Sequence, residues 1–534
     1  MIQDDLADAL RAAVARVGVD APDVIHLERP ARREHGDWSS NVAMATAKQA
    51  GRNPRELATE IAKVLNDNLP AHVSSVEVAG PGFVNFRLHD SWLHDVLRVV
   101  VEQGEPGYAR SDAGAGLMVN VEFVSTNPTG PVHAGGGRWA AYGDSLARIL
   151  ERNGYAPHRE FYLNDRGVQM QLFAQSLLAR KQGRPVPEGG YQGEYVAEWA
   201  AEMPDDADPL EWGYERVKKD VADTLDRIGV RFDTWFSERS MVESGAIEAT
   251  LEDLRAHGVV YEADGAVWLR TTEFGDDKDR VLVKSDGEPT YVLPDIAYHR
   301  DKFNRGFRLL IDVWGADHHG YMQRLKIGIQ ALGHAPDELE VILGQFVTLV
   351  RGGEEVKLSK RSGNVVTLSE VIDEVGPDAA RLTFLLQSID TKQLFDIDLV
   401  RSEAMENPVY YVQYAHARIA SIERVAAERG VERQPLGDVD LSLLTHEREL
   451  DVLRSVAELP DVVRLACVER APHKVTTWVR ELAGRFHGFY HDCYVMGTDV
   501  PPELTQARLW LVEAARVGLA IGLDLLGVSA PDSM

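Results

Sequence analysis

Hydrophobic periodicity changes several times along the first hundred residues, which predicts a small α+β domain. Apolar residues first recur at helical spacing, at Leu6, Leu10, Val14 and Val17. A second helix is predicted to begin at Asn53, because asparagine is a favourable cap and Pro54 suits the first helical position. Segments 75–79 and 83–88, joined by a Gly-Pro-Gly turn, predict two paired strands.

A different pattern begins at residue 117 and predicts a βαβ unit. Segment 117–124 (LMVNVEFV) is almost entirely apolar or β-favouring, as expected of a strand buried on both faces of a parallel sheet. The loop STNPTGPVHAGGG follows, and then a helix is predicted over 138–152, ended by Gly154. The next strand is predicted at 158–163. A glycine-rich turn at the head of a helix in such a unit is a nucleotide-binding layout.

The hydrophobic periodicity of the remaining residues predicts further helices and strands, which together indicate an α/β protein. We predict a helical insertion at about 166–235 and an all-α bundle from about residue 400 to the end. Further strands are predicted at 266–269, 291–293, 309–314 and 341–349. The polar, glycine-rich segment 104–116 predicts a domain boundary. The predicted domains are a small α+β domain at 1–108, a Rossmann-type domain at 109–398 and a helical domain at 399–534.

Composition indicates the cellular compartment but does not decide whether the protein binds nucleic acid. The 534 residues are 44% hydrophobic and 26% charged, which is typical of a globular chain. No uninterrupted apolar run approaches the ~20 residues that cross a bilayer, and acidic residues stand where a secretory signal would be basic. We expect the two cysteines, Cys467 and Cys493, to be reduced and the protein to be cytosolic. The net charge of −27 does not exclude RNA, because it says nothing of how charge is distributed.

Two loops carry candidate phosphate chemistry. In PVHAGGGR, glycines at Gly135 and Gly136 permit close backbone approach, and His133 can hydrogen-bond a phosphate oxygen in the transition state. In KLSKRSGN, Lys357 and Lys360 flank Ser359 and suit a loop that clamps phosphates. Alone, the first loop could be a tight structural turn and the second an exposed basic loop.

Together the two loops resemble the signature sequences of class I aminoacyl-tRNA synthetases, usually written HIGH and KMSKS. Their order, separation and position after strands agree with that class. The resemblance is specific to arginyl-tRNA synthetases and covers nearly the whole chain. It rests on EHGDWSSNVAM, VEFVSTNPTGPVHAGGGRWAAYGDSLARILERNGY, YLNDRGVQ, LPDIAYHRDKF, VWGADHHGY and ENPVYYVQYAHARI. It implies an N-terminal domain that contacts the tRNA elbow and a C-terminal bundle that binds the anticodon.

The resemblance also implies residue roles. A buried guanidinium needs carboxylate partners, since an unpaired buried charge is very costly. The residues that match the arginine-binding positions of the family are Ser125, Asn127, Glu238, Tyr291, Asp295 and His318. Those that match ATP-binding positions are His133, Gly135, Gly136, Asp317, Lys357, Ser359 and Lys360. We expect His133, Lys357 and Lys360 to do the electrostatic work of catalysis, and we expect no resident metal.

One position departs from the family. Gly136 stands where relatives commonly carry a second histidine that helps to bind the nucleotide. We expect backbone N–H groups at the helix start to substitute for that imidazole. Relatives with an incomplete second loop often have a lysine where this chain has Gly130, but Lys357 and Lys360 make that replacement unnecessary.

The resulting hypothesis is a monomeric enzyme that joins arginine to tRNA, with ATP·Mg²⁺ as co-substrate and no permanently bound cofactor. One alternative is a small-molecule ligase or nucleotidylyl transferase on the same fold, which would have little use for both flanking domains. A second alternative is a non-catalytic sensor of tRNA or arginine. Gly136 favours the sensor, and the complete KLSKRSGN loop argues against it.

Overall fold

The computed structural model describes residues 2–30, 32–316, 319–356 and 366–534. The chain forms two compact units. The first comprises Met1–Gly104, Ala426–Ala457 and Arg485–Val517, and the second comprises Glu105–Val425, Glu458–Gly484 and Gly518–Met534. The domain limits proposed above remain a prediction.

The strands, numbered in chain order, are β1 (Leu27–Glu28), β2 (Trp38–Ser40), β3 (Val73–Ala79), β4 (Phe83–Leu88), β5 (Met118–Glu122), β6 (Ala156–Leu163), β7 (Thr234–Ser237), β8 (Val260–Ala263), β9 (Ala266–Leu269), β10 (Arg280–Val283), β11 (Leu309–Gly315), β12 (Leu339–Gly344), β13 (Val347–Arg351), β14 (Glu354–Glu355) and β15 (Gln393–Asp396).

The α-helices, numbered in the same way, are α1 (Ile2–Arg16), α2 (Val42–Ala47), α3 (Pro54–Asp67), α4 (Ser91–Gly107), α5 (Gly136–Arg152), α6 (Gly167–Lys181), α7 (Glu194–Glu202), α8 (Pro209–Arg227), α9 (Glu238–Glu243), α10 (Ala246–Ala256), α11 (Val292–Asn304), α12 (His319–Ala331), α13 (Leu368–Val375), α14 (Pro377–Phe384), α15 (Ile397–Arg401), α16 (Pro408–Glu428), α17 (Glu447–Val468), α18 (His473–Asp492) and α19 (Pro502–Leu526).

In the first unit, an antiparallel sheet of order β1-β2-β4-β3 packs against helices around one apolar core. Leu6, Leu10 and Val14 of α1 are buried in that core, as their spacing predicted. The predicted start of α3 is confirmed, since the Asn53 side chain accepts hydrogen bonds from the N–H groups of Arg55 and Glu56 at 3.0 and 3.3 Å.

The second unit is built on a parallel five-stranded sheet of order β12-β11-β5-β6-β7. The first strand of the predicted βαβ unit, β5, lies in its middle, with β6 on one side and β11 on the other. The chain therefore adds β6 and β7 on one side of β5 and then β11 and β12 on its other side, which makes β5 a topological switch point. Ligands bind at such a point, beyond the carboxyl ends of the strands. The predicted insertion consists of α6, α7 and α8 between β6 and β7.

Two strand predictions were wrong. Segment 291–293 begins α11, because a run of three apolar residues carries no period and Pro294 is tolerated in the first turn of a helix. Segment 341–349 is not one strand. Strand β12 ends at Gly344 in the parallel sheet, and β13 begins at Val347 in a separate sheet of order β14-β13-β15.

The C-terminal quarter is helical, as predicted, from α16 to α19. Cys467 and Cys493 are both free and buried. Among the residues that the structure describes, no helix is long and apolar enough to cross a membrane.

Candidate active site

A cavity of about 530 Å³ lies in the second unit beyond the carboxyl ends of β5 and β11. The polar side chains that line it include Glu122, Ser125, Asn127, His133, Tyr162, Asp295, His299 and Tyr321. No lysine or arginine is among the described lining residues. The cavity therefore combines two carboxylates with apolar and aromatic walls, which suits a cationic ligand.

The loop after β5 has a strained backbone. Val124 and Ser125 have φ values of 69° and 39°, a region that a β-branched residue such as valine rarely adopts. Hydrogen bonds hold this conformation. Ser125 Oγ donates to Glu122 Oε1 at 2.9 Å and accepts from the N–H of Tyr162 at 3.1 Å. Asn127 Nδ2 donates to Gln169 Oε1 of α6 at 2.9 Å, so the insertion supports the loop that was predicted to bind the amino acid.

Two lining residues of the cavity, Glu122 and His299, belong to a network of buried charges. Lys302 Nζ donates to Glu122 Oε2 at 2.6 Å and to Asp312 Oδ1 at 2.9 Å, and His299 Nε2 contacts Asp312 Oδ2 at 2.7 Å. Burial opposes the charged form of Asp312, but Lys302 and His299 outweigh it and hold the pKa of Asp312 well below its usual range. Burial raises the pKa of Glu122, and Lys302 offsets this only in part.

Asp295 lies in the first turn of α11 and faces the cavity. Burial raises the pKa of Asp295 to about 6, against a hydrogen bond from Tyr321 that acts in the opposite direction. The carboxylate accepts that bond at Oδ2. Asp295 therefore lines the cavity, and its contact with a guanidinium stays a prediction.

Glu238 begins α9 close to the cavity lining but is not part of it. Its carboxylate is hydrogen-bonded to Tyr162, burial raises its pKa, and Arg166 Nη1 lies 4.0 Å from Glu238 Oε1. Asp165 holds the start of this helix, because its carboxylate accepts from Ser237 Oγ at 2.5 Å and from the Arg239 N–H at 2.9 Å.

Tyr291 lies just before α11 with 89% of its surface exposed, and it is absent from the described cavity lining. Its predicted contact with a guanidinium would require its side chain to turn toward the cavity. That contact stays a prediction.

The first candidate loop, PVHAGGGR, forms a compact turn at the start of α5. The N–H of Gly136 donates to the carbonyl of His133 at 2.8 Å and also contacts His133 Nδ1 at 3.1 Å. The N–H groups of Gly137 and Arg138 donate to the carbonyls of Ala134 and Gly135 at 3.0 and 3.2 Å. The expectation that these N–H groups substitute for the missing histidine is therefore not met in this arrangement, because the turn already uses them.

Residues 366–368, which follow the second loop, pair with this turn. The N–H of Ala134 donates to the carbonyl of Val366 at 3.0 Å, and the N–H of Leu368 donates to the carbonyl of Val132 at 2.8 Å. His133 and Thr367 thus form an isolated antiparallel bridge. Five predicted site residues, Asp317, His318, Lys357, Ser359 and Lys360, lie outside the described residues.

The residues of the site that were not predicted from the sequence include Glu122, Lys302 and Tyr321. A glutamate inside the largely apolar strand pattern VNVEFV was a usable signal, because buried carboxylates are rare unless they are paired. Its partner Lys302 is 180 residues away, and nothing local links the two.

The chain matches three protein families along its length. Residues 1–88 match the arginyl tRNA synthetase N terminal domain, 208–405 the class I (R) tRNA synthetase catalytic domain, and 412–534 the DALR anticodon binding domain. An arginine–tRNA ligase of Frankia alni is 48% identical, with 100% of both chains covered. One of Carboxydothermus hydrogenoformans is 45% identical, covering 100% of this chain and 99% of that protein.

The fold agrees with these matches. The structure of Thermus thermophilus arginyl-tRNA synthetase superposes with a TM-score of 0.77 at 23% identity, with 100% of both chains covered. The parallel sheet with its flanking N-terminal and helical C-terminal regions is therefore the architecture of that protein. With close to half of all positions identical over the full length of curated relatives, the chain belongs to the arginyl-tRNA synthetase family.

Proposed function

We propose that this protein is an arginine–tRNA ligase, which activates L-arginine with ATP and transfers it to the 3′ end of tRNA(Arg). The carboxylate of arginine attacks the α-phosphate of ATP, forming arginyl-adenylate and releasing pyrophosphate. The terminal 2′-hydroxyl of the tRNA then takes the arginyl group and AMP leaves. No covalent enzyme intermediate is required, since positioning and charge stabilisation suffice.

The acidic cavity is the observation that carries this proposal. Glu122 and Asp295 face it, Glu238 lies beside it, and no lysine or arginine is among its described lining residues. A guanidinium brought into such a site exchanges water for charge-assisted hydrogen bonds, whereas a neutral or acidic side chain would give Asp295 no counter-charge.

The residue roles follow the same logic. Ser125 and Asn127 hold the α-amino and carboxylate groups of arginine, and Asp295, Glu238 and Tyr291 hold its guanidinium. His318 completes the arginine site. The ATP site is formed by His133, Gly135, Gly136, Asp317, Lys357, Ser359 and Lys360, with His133, Lys357 and Lys360 stabilising the charge that develops on the phosphates. Mg²⁺ enters with ATP through phosphate oxygens.

The proposal also covers the oligomeric state of the enzyme, its location and its dependence on tRNA. The enzyme works as a monomer, and its compartment is the cytoplasm. The two buried free thiols support only the second of these statements, because thiols stay reduced there. Adenylate formation requires bound tRNA, as in the family at large.

The test is the charging of total tRNA with each labelled amino acid in turn. Arginine alone is expected to be attached, in an ATP-dependent and Mg²⁺-dependent reaction. Attachment of another amino acid would contradict the assignment of the cavity. A folded protein that binds tRNA but charges nothing would favour the sensor.

A further inference from the structure

Tyr321 is a cavity residue to which the proposed reaction assigns no role. It lies in the first turn of α12, and its hydroxyl donates to Asp295 Oδ2. The carbonyl of Tyr291 lies 3.3 Å from the same hydroxyl. A phenol has a single proton to donate, so the charged oxygen of Asp295 takes it and the carbonyl is the weaker partner.

A rigid pair of helices brings these two side chains together. Helices α11 and α12 contribute Leu293, Ile296, Leu325 and Ile329 to one buried core. Gly328 of α12 sits directly on Ile296, because a Cβ there would lie 2.5 Å from two carbon atoms of that side chain. This close approach sets the position of Tyr321 relative to Asp295.

The hydrogen bond determines how the carboxylate is oriented. The terminal torsion of an aspartate is broad and roughly two-fold, so packing alone defines the carboxylate plane poorly. With Oδ2 tied to Tyr321, the plane is defined and Oδ1 remains for the ligand.

The bond also favours the charged form of Asp295. Burial raises the pKa of Asp295 to about 6, and the Tyr321 hydroxyl pulls that pKa down. Burial and the neighbouring carboxylate raise the pKa of Tyr321 above its usual value, so the phenol stays a donor. The other charged or titratable groups that face this pair are His299 of α11, Glu122 of β5, Glu238 of α9, Tyr162 of β6 and Arg324 of α12.

We infer that Tyr321 is a positioning residue for arginine recognition: its hydroxyl orients the Asp295 carboxylate and keeps it ionised for the substrate guanidinium. The inference rests on the proposed function, because it takes arginine as the ligand of Asp295. It assigns Tyr321 no contact with the reacting atoms.

The test is Tyr321→Phe, which removes one oxygen and keeps the ring. A lost hydrogen bond to a charged group should raise KM for arginine by about tenfold, with kcat within about twofold of wild type. The acid limb of kcat/KM for arginine, near pH 6 in the wild type, should move to higher pH, since Asp295 would then be protonated more easily. Inhibition by citrulline, which is neutral, should change little.

Tyr142→Phe is the matched control. Tyr142 is a buried tyrosine of α5 whose hydroxyl donates to the carbonyl of Arg470 at 2.6 Å, and it is outside the described cavity lining. The Tyr142→Phe substitution should lower the melting temperature but should leave KM for arginine and the pH dependence of kcat/KM unchanged.

Three outcomes decide the inference. An elevated KM with a shifted acid limb supports it. Equal losses in kcat and kcat/KM with an unchanged acid limb overturn the inference. No change in KM or in the acid limb also overturns it. The proposed function is unaffected by both results. A wild type that charges tRNA with a different amino acid overturns the proposed function, and the inference with it.

Discussion

The imidazole of His133 is held by the backbone of its own turn. The N–H of Gly136 contacts Nδ1 at 3.1 Å, so Nδ1 is the acceptor in this arrangement and the proton lies on Nε2. That tautomer lets the ring donate to a phosphate oxygen. Because the N–H groups of residues 136–138 serve the turn itself, we expect the imidazole to carry most of the phosphate binding proposed for this loop.

We therefore expect His133→Ala to lower the rate of arginine charging by about 10²-fold or more, the loss typical of removing one preorganised donor. The measurement is steady-state charging at saturating ATP and tRNA. His257→Ala, at an exposed position after α10, is the control and should charge at the wild-type rate. A fully active His133→Ala protein would mean that this residue serves the geometry of the turn and not phosphate binding.

Asp295 should determine the choice of amino acid. Asp295→Asn keeps the size and hydrogen bonding of the side chain but removes the charge that faces the guanidinium. Loss of one partner of a buried ion pair costs about 3–5 kcal/mol, so kcat/KM for arginine should fall by about 10²-fold or more.

Citrulline, a neutral isostere of arginine, should lose much less in competition assays with the Asp295→Asn protein. Asp253→Asn, which alters an aspartate that is 45% exposed and paired with Arg300, should leave both ligands unaffected. Equal losses for arginine and citrulline would contradict the assigned pairing.

At the scale of the elements, a glycine allows α5 to pack close to the end of β5. Gly143 lies over Phe123, and a Cβ at Gly143 would come within 2.1 Å of the Phe123 ring, which is buried and cannot retreat. The helix can therefore lie close to the strand and bring the His133 turn to the carboxyl edge of the sheet.

Gly143→Ala should destabilise the protein by about 1–3 kcal/mol, as expected for overpacking, and should also lower charging activity because α5 carries the turn. Urea unfolding measures the first effect. The control is Gly320→Ala in α12, where an added Cβ meets nothing within 4 Å and alanine should be neutral or slightly stabilising. Equal unfolding free energies and charging rates for the two variants would show that the contact with Phe123 does not limit how closely α5 packs on the sheet.

At the scale of the whole second unit, one buried ion pair joins distant segments. Arg381 of α14 is paired with Asp144 of α5 and donates to the carbonyls of Ile228 and Leu526 at 2.6 and 2.5 Å. These partners come from the end of the insertion and from the last helix. Burial opposes the charged form of Asp144, but Arg381 and its neighbours outweigh it and lower the pKa of Asp144 to about 2.

Asp144→Ala should cost about 3–5 kcal/mol of unfolding free energy at pH 7, because it leaves Arg381 buried without its counter-charge. A carboxyl whose pKa is lowered on folding stabilises the protein above its unfolded pKa of 3.8, and this contribution is lost as pH falls toward 2. The difference between wild type and Asp144→Ala should therefore narrow between about pH 4 and pH 2 in urea unfolding.

Asp524→Ala is the matched control. It removes a 70% exposed carboxylate that pairs with Arg148 at 3.2 Å, and such surface pairs contribute at most about 1 kcal/mol. A loss for Asp144→Ala as small as that of the control would mean that Arg381 is held by its backbone acceptors alone.

The sequence by itself determined the features that local chemistry specifies. Asn53 with Pro54 begins α3, the apolar run before Ser125 is a central parallel strand, and the glycine-rich turn opens α5. Each depends on residues a few positions apart, so a cap, a period or a turn residue is enough to predict it. The two candidate loops also indicated the family, because each is a short run of residues that is recognisable without knowledge of the fold.

Only the tertiary structure decided what depends on distant partners. Three apolar residues at 291–293 suit a strand or a helix equally. Packing of α11 against α12 decided for helix at Val292 and Leu293, whereas Tyr291 lies just before the helix. The ion pair of Lys302 with Glu122 and the bond from Tyr321 to Asp295 join residues of different elements. No local pattern encodes these contacts, because a buried charge is satisfied by whichever group the fold places beside it.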